Sequence, residues 1–241
     1  ITPMRYGGNY KSYGPQYVRG IEEGNGKPAD GKLWVTYSMN KEDIWVSSVP
    51  LPITEVVKEP VNDDFTKLPV GKELEMWNIY SPLWAPVKVE NKTLVLKDKD
   101  PFDYAKAERV FPASNKVITE FSVTPKQADF GLMEIELQDS KGLAGVRLTF
   151  DSTGTLSAKA GARYKNFMTY KAGETYNISI KLNTANRFYT LTVNGKDVLT
   201  SLAFQPVAEV SRIVFRTGEV RRFPNVDTRA DQTYDLPKPG E

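Results

Sequence analysis

Apolar side chains in this chain return at every second residue, run after run, and hardly anywhere at every third or fourth. Val117, Thr119, Phe121 and Val123 alternate with Ile118, Glu120 and Ser122; Met133, Ile135 and Leu137 alternate with Glu134, Glu136 and Gln138. The beat recurs from Ala144 to Phe150, from Tyr176 to Leu182, from Tyr189 to Val193, and at Ile213 with Phe215. Successive strand side chains point to opposite faces, so each run makes one apolar face. The separators Asp139-Ser-Lys-Gly142, Asp151-Ser-Thr-Gly154, Asn183-Thr-Ala-Asn186 and Val193-Asn-Gly-Lys196 are hairpin material, and Asn194-Gly195 suits the positive φ angles of a tight turn. The best helix candidates are short, one near Pro101 to Glu108 and one around Leu202 to Val207. The expected fold is all-β, two antiparallel sheets packed as a jelly-roll sandwich.

Composition then removes function classes. At 241 residues, 40% of them apolar, the chain can bury a full core in one or two domains. Its charges are interspersed and nearly balanced at +2, so no basic field is available for nucleic acid. No apolar run approaches the roughly 18 residues of a membrane span. Cysteine and histidine are both absent, which excludes disulfides, the usual zinc ligands, and Ser-His-Asp or Cys-His nucleophiles. Carboxylate, Tyr, Lys or Arg chemistry remains, as does binding without catalysis. The chain begins at Ile1 rather than at Met, so either processing or truncation made this end, and any export signal has already gone.

Two resemblances extend this reading. The order Asn62-Asp-Asp-Phe65, Trp77, Leu94-Val-Leu96, then the long antiparallel run ending in Tyr189-Thr-Leu-Thr-Val-Asn-Gly-Lys196 and Arg212-Ile-Val-Phe215, resembles the concanavalin A-like lectin/glucanase superfamily, laminin-G-like modules in particular. It covers about residues 61–223 and implies a sandwich offering a face or loop rim to carbohydrate. Earlier, Gly14-Pro-Gln-Tyr-Val-Arg-Gly20, Leu33-Trp-Val-Thr-Tyr-Ser38 and Ile44-Trp-Val-Ser47 resemble the closing blade of sialidase-like β-propellers from exported bacterial polysaccharide-degrading enzymes. The expected domains are therefore a blade-like hairpin segment over 1–53, a linker over 54–60, a sandwich over 61–223 and an extended arm over 224–241. The rest of a propeller is an expected partner.

Four groups of residues are candidates for chemistry. Glu134 and Glu136 share one strand face and are loosely similar to the catalytic carboxylates of laminarinase-like members, although the middle acid there is Asp; two solvated surface glutamates are the plainer reading. Arg19, with Tyr17, is similar to the propeller arginines that hold substrate carboxylates bidentately; an arginine closing a propeller seam or meeting a surface acid such as Glu22 is the plainer reading. Trp84, Tyr80, Tyr164 and Arg163 offer flat rings with polar neighbours, the pairing that sugar recognition needs. Asp98, Asp100 and Asp103 provide oxygen ligands for a structural calcium ion, against which Lys99 argues for a plain turn. The leading expectation is an accessory portion of an exported polysaccharide-degrading enzyme, binding carbohydrate or bracing the catalytic propeller. The alternatives are a glycoside hydrolase or lyase using the carboxylates with Arg19 on an acidic polysaccharide, and a purely structural sandwich.

Overall fold

The structure is a computed structural model describing residues 15–21, 31–39, 43–51, 57–68, 74, 76–81, 85–99 and 104–218. Within them lie sixteen strands and a single 3₁₀ turn, Phe65–Lys67. The first three, β1 (Pro15–Ile21), β2 (Lys32–Met39) and β3 (Asp43–Pro50), form an antiparallel sheet of their own. The sandwich is built from a seven-stranded and a four-stranded sheet. The seven-stranded sheet has the order β12-β11-β10-β9-β16-β7-β4, with β4 Trp77–Tyr80, β7 Lys106–Ser114, β9 Met133–Gln138, β10 Ala144–Phe150, β11 Thr155–Ala160, β12 Arg163–Thr169 and β16 Val210–Thr217. The four-stranded sheet runs β15-β14-β13-β8, with β8 Lys116–Val123, β13 Tyr176–Asn183, β14 Phe188–Val193 and β15 Lys196–Leu202. A small hairpin, β5 (Val87–Glu90) with β6 (Thr93–Leu96), completes the set.

The apolar half of each alternating run meets its counterpart between the two sheets. Ile135, Leu137, Leu148, Leu156, Ile180 and Leu191 are fully buried there, with Phe150 edge-on to Tyr170 and Tyr176. Burial of such side chains stabilises by roughly 1.5–3 kcal/mol each. Asn194 and Gly195 take φ of 49° and 78° in the β14–β15 turn, as their chemistry predicts. Asp151 Oδ1 accepts the Thr153 and Thr155 N–H groups across the β10–β11 turn. No helix among the described residues is long and apolar enough to cross a membrane.

Both expected helical turns are corrected. Residues 106–108 open β7, which lies between β16 and β4, so pairing on both sides overrides the helical leaning of Lys-Ala-Glu. Pro112 falls where the β7–β16 register shifts, the place where a strand tolerates a missing N–H. Leu202 ends β15, and the segment after it is bound to β10 instead of coiling: Phe204 and Gln205 donate their N–H groups to the Gly145 and Ala144 carbonyls at 2.8 and 3.1 Å.

Around Trp77 the residues of the sandwich resemblance come together. Asp63 Oδ2 accepts the Trp77 indole N–H at 2.8 Å and pairs with Arg109 Nε at 2.7 Å, while Phe65 and Phe215 lie beside the Trp77 ring. The first sheet touches the β4 edge, where Trp45 stacks on Tyr80 at 5.5 Å and 11°.

Candidate functional site

Strand pairing assembles a ladder of charge on the outer face of the seven-stranded sheet. In register, Arg147 on β10 faces Glu136 on β9, and Glu134 on β9 faces Arg216 on β16. Arg147 Nε lies 2.5 Å from Glu136 Oε1 and 3.7 Å from Glu134 Oε1; Arg216 pairs with Glu134 and reaches Glu136 Oε2 at 3.7 Å. Gln138 Nε2 donates to Glu136 Oε2. Glu134 and Glu136 are 4% and 1% exposed, so the long arginine stems lie over them. The shared face that alternation gives them is real, and it is sealed. Burial and pairing with guanidiniums work against either carboxylate reaching a substrate proton or an anomeric carbon.

The ladder becomes accessible at its β10–β12 end. Lys159 on β11 faces Tyr164 on β12, and its Nζ lies 3.8 Å from the Tyr164 ring centroid and 5.0 Å from that of Phe204. The backbone bonds of Phe204 and Gln205 to β10 hold the Phe204 ring beside the Arg147 guanidinium, 5.1 Å away. From below, the Tyr189 hydroxyl donates to the Lys159 carbonyl at 2.7 Å, and burial pushes that phenol well above its usual range. Lys159 Nζ donates to the Ala162 carbonyl and has no carboxylate partner among the described residues. Its pKa lies below the ordinary lysine value because it is partly buried and faces Arg147. Burial works against the Arg147 charge too, but Glu136 and Tyr164 together hold that pKa above the usual arginine value. Tyr164 is 47% exposed, and its hydroxyl lies 3.5 Å from Glu134.

The other candidates fall elsewhere. Tyr80 is 2% exposed, its ring enclosed by Trp45 and Tyr104, so it has no free face for a sugar. Arg163 is exposed, but alternation along β12 turns it away from Tyr164. Arg19 is exposed on β1, in a different sheet from the carboxylates. Asp98 Oδ2 accepts the Thr217 hydroxyl at 2.8 Å; Asp100, Asp103 and Trp84 lie outside the described residues. No metal-holding cluster of acids occurs among the described residues. Lys159, Arg147 and Phe204 were not among the sequence candidates. Alternation marks Arg147 and Lys159 as outward-facing, but only the strand order and the return of Phe204 onto β10 bring them together.

The chain as a whole is similar to several known proteins. A solved structure named Sialidase is 54% identical, with a TM-score of 0.85 over 98% of this chain and 22% of that one. The chain thus spans about a fifth of that protein's length. A non-specific endo-beta-1,3(4)-glucanase from family GH16 is similar at 13% identity and TM-score 0.49, over 68% of this chain and 86% of that one. A carbohydrate binding module, CBM66, from Bacillus subtilis is similar at 9% identity and TM-score 0.37, over 59% of this chain and 89% of that one. No curated protein matches. The family model described as sialidase-like, CBM domain, matches residues 77–232, which take in the strands of both large sheets, and the chain belongs to that family.

Proposed function

We propose that the chain is an accessory carbohydrate-binding module of an exported glycan-degrading enzyme, and that it holds sugar at the β10–β12 end of the seven-stranded sheet. The observation that carries this reading is the stack of Tyr164, Lys159 and Phe204 with Arg147 at its edge. A half-exposed ring accepts the C–H face of a pyranose, while Lys159 and Arg147 offer donors to its hydroxyls. Family membership supports sugar as the ligand, and coverage of a fifth of a sialidase supports a place within a larger enzyme. Titration with a panel of oligosaccharides tests it. Tyr164→Ala is expected to weaken the best ligand about tenfold, the loss of one stacked ring; unchanged affinity would overturn the assignment.

A bracing role has its own support. Ile44 and Val46 stand exposed two residues apart on β3 of the first sheet, with Ile44 at 84%, an apolar edge suited to the remainder of a longer chain such as adjoining propeller blades. That sheet meets the sandwich at β4, about 29 Å across six strand spacings from β12. Support at one end and sugar contact at the other are compatible. Catalysis by Glu134 and Glu136 with Arg19 has less behind it, since the carboxylates are ion-paired and Arg19 belongs to another sheet.

A further inference from the structure

The opposite side of the sandwich carries a second site with different chemistry. The outer face of the four-stranded sheet holds a shallow depression of about 390 Å³, lined in part by Lys116, Ile118, Lys181, Asn183, Asn186 and Phe188. That volume falls within the roughly 300–1,000 Å³ of small-ligand sites. Register sets Ile118 beside Lys181 and Asn183 between Lys116 and Phe188, so the lining comes from three adjacent strands and the β13–β14 turn.

The polar groups there are donors. Asn183 Oδ1 accepts the Ala185 N–H and Asn186 Oδ1 accepts the Phe188 N–H, each at 3.1 Å. These bonds fix which end of each amide is oxygen and leave both Nδ2 groups without an acceptor among the described residues. Lys116 and Lys181 have no carboxylate partner among the described residues either, and no acid lines the depression. Glu120, the nearest acid along β8, sits one row away opposite Ser179 and makes no ion pair among the described residues. Beside the donors, Ile118 and Phe188 are 65% and 47% exposed.

We infer that this depression binds a sugar unit bearing an anionic substituent, with Lys116, Lys181 and the two asparagine amides on the charged group and Phe188 against the ring face. Two ammonium groups and two amides suit an acceptor-rich ligand, and the absence of lining acids removes the repulsion that an anion would otherwise meet. The exposed ring favours a sugar over a bare anion, because a C–H face can then be covered as the charge is paired. A carboxylate or a sulfate ester would satisfy the same donors.

The test is calorimetric titration of the 241-residue chain with three probes: a galacturonate trisaccharide, a sulfated galactan trisaccharide and neutral cellotriose. At least one charged probe is expected to bind and to shift the backbone amide resonances of residues 116, 181 and 183; which of them binds identifies the substituent. Lys181→Ala and Asn183→Ala are each expected to weaken it about tenfold, the loss of one charge-assisted contact. Tyr164→Ala should leave it unchanged, so failure here is distinguishable from failure of the β10–β12 site. Both variants are exposed-face truncations, and unchanged near-ultraviolet dichroism confirms their folding. The inference is overturned if neither charged probe binds, if neutral cellotriose binds as tightly as the charged probes, if the shifts map to β10–β12, or if the variants bind as the parent does.

Discussion

The two outer faces of the sandwich obey the same alternation and treat their polar side chains in opposite ways. On the seven-stranded sheet, Glu134 and Glu136 are buried with Arg216, and Glu108 is buried between Lys106 and Arg212. On the four-stranded sheet, Ile118 and Phe188 stand open beside Lys116 and Lys181, which have no carboxylate partner among the described residues. Cross-strand register makes the difference. It sets Arg147 against Glu136 and Glu134 against Arg216 on one face, but Ile118 against Lys181 and Asn183 against Phe188 on the other. A polar strand face becomes internal cement where its neighbours carry the opposite charge, and a contact surface where they do not.

The largest effect should come from breaking the cement. Glu136→Ala strips Arg147 and Gln138 of their shared acceptor and leaves buried positive charge beside Arg216, which is expected to destabilise by about 3–5 kcal/mol. Ile118→Ser on the open face should change stability by less than about 0.5 kcal/mol. Urea denaturation of both variants decides it, and equal effects would mean that the two faces are energetically alike. A smaller gain lies in the same ladder. The Thr149 hydroxyl is buried without a partner beside Glu134, so Thr149→Val should raise stability by about 1 kcal/mol in the same assay. A loss there would show that the hydroxyl contributes to the face.

Much of this was legible in the residues because alternation is a local property. Val117 to Val123 and Tyr176 to Leu182 declare their buried faces without reference to any neighbour, and Asn194-Gly195 declares its turn. β7 and β12 did not declare themselves. The first carries Ala, Glu and Pro112 in a strand held by both neighbours, and the second is an edge strand exposed over Arg163 to Asn166. The carboxylates illustrate the limit. That Glu134 and Glu136 share a face follows from spacing along one strand, whereas their pairing with Arg147 and Arg216 depends on which strands become neighbours. Tyr164 could be singled out as an exposed ring, but its partners come from β10, β11 and the segment after β15.

The smallest effect separates a lysine that braces the fold from one kept for a ligand. Burial and the nearby Arg147 charge lower the Lys159 pKa in the folded chain, so over the window between that value and about 10.4 the unfolded chain binds more protons. Stability contributed at Lys159 must therefore rise as pH rises through that window and be lost as pH falls below it. Denaturation midpoints of the parent and of Lys159→Met, compared from about pH 8 to about pH 10.5, isolate this group from the tyrosines that titrate nearby. The parent should gain on the variant as pH increases, while the variant loses affinity for the sugar that Tyr164 stacks against. A pH-independent difference would mean that the ammonium is solvated in the folded state like any surface lysine. A gain with pH would mean that the fold keeps a cation where its charge opposes folding, and the contacts that offset this at neutral pH are the Ala162 carbonyl, the two aromatic rings and whatever acceptors a bound sugar brings.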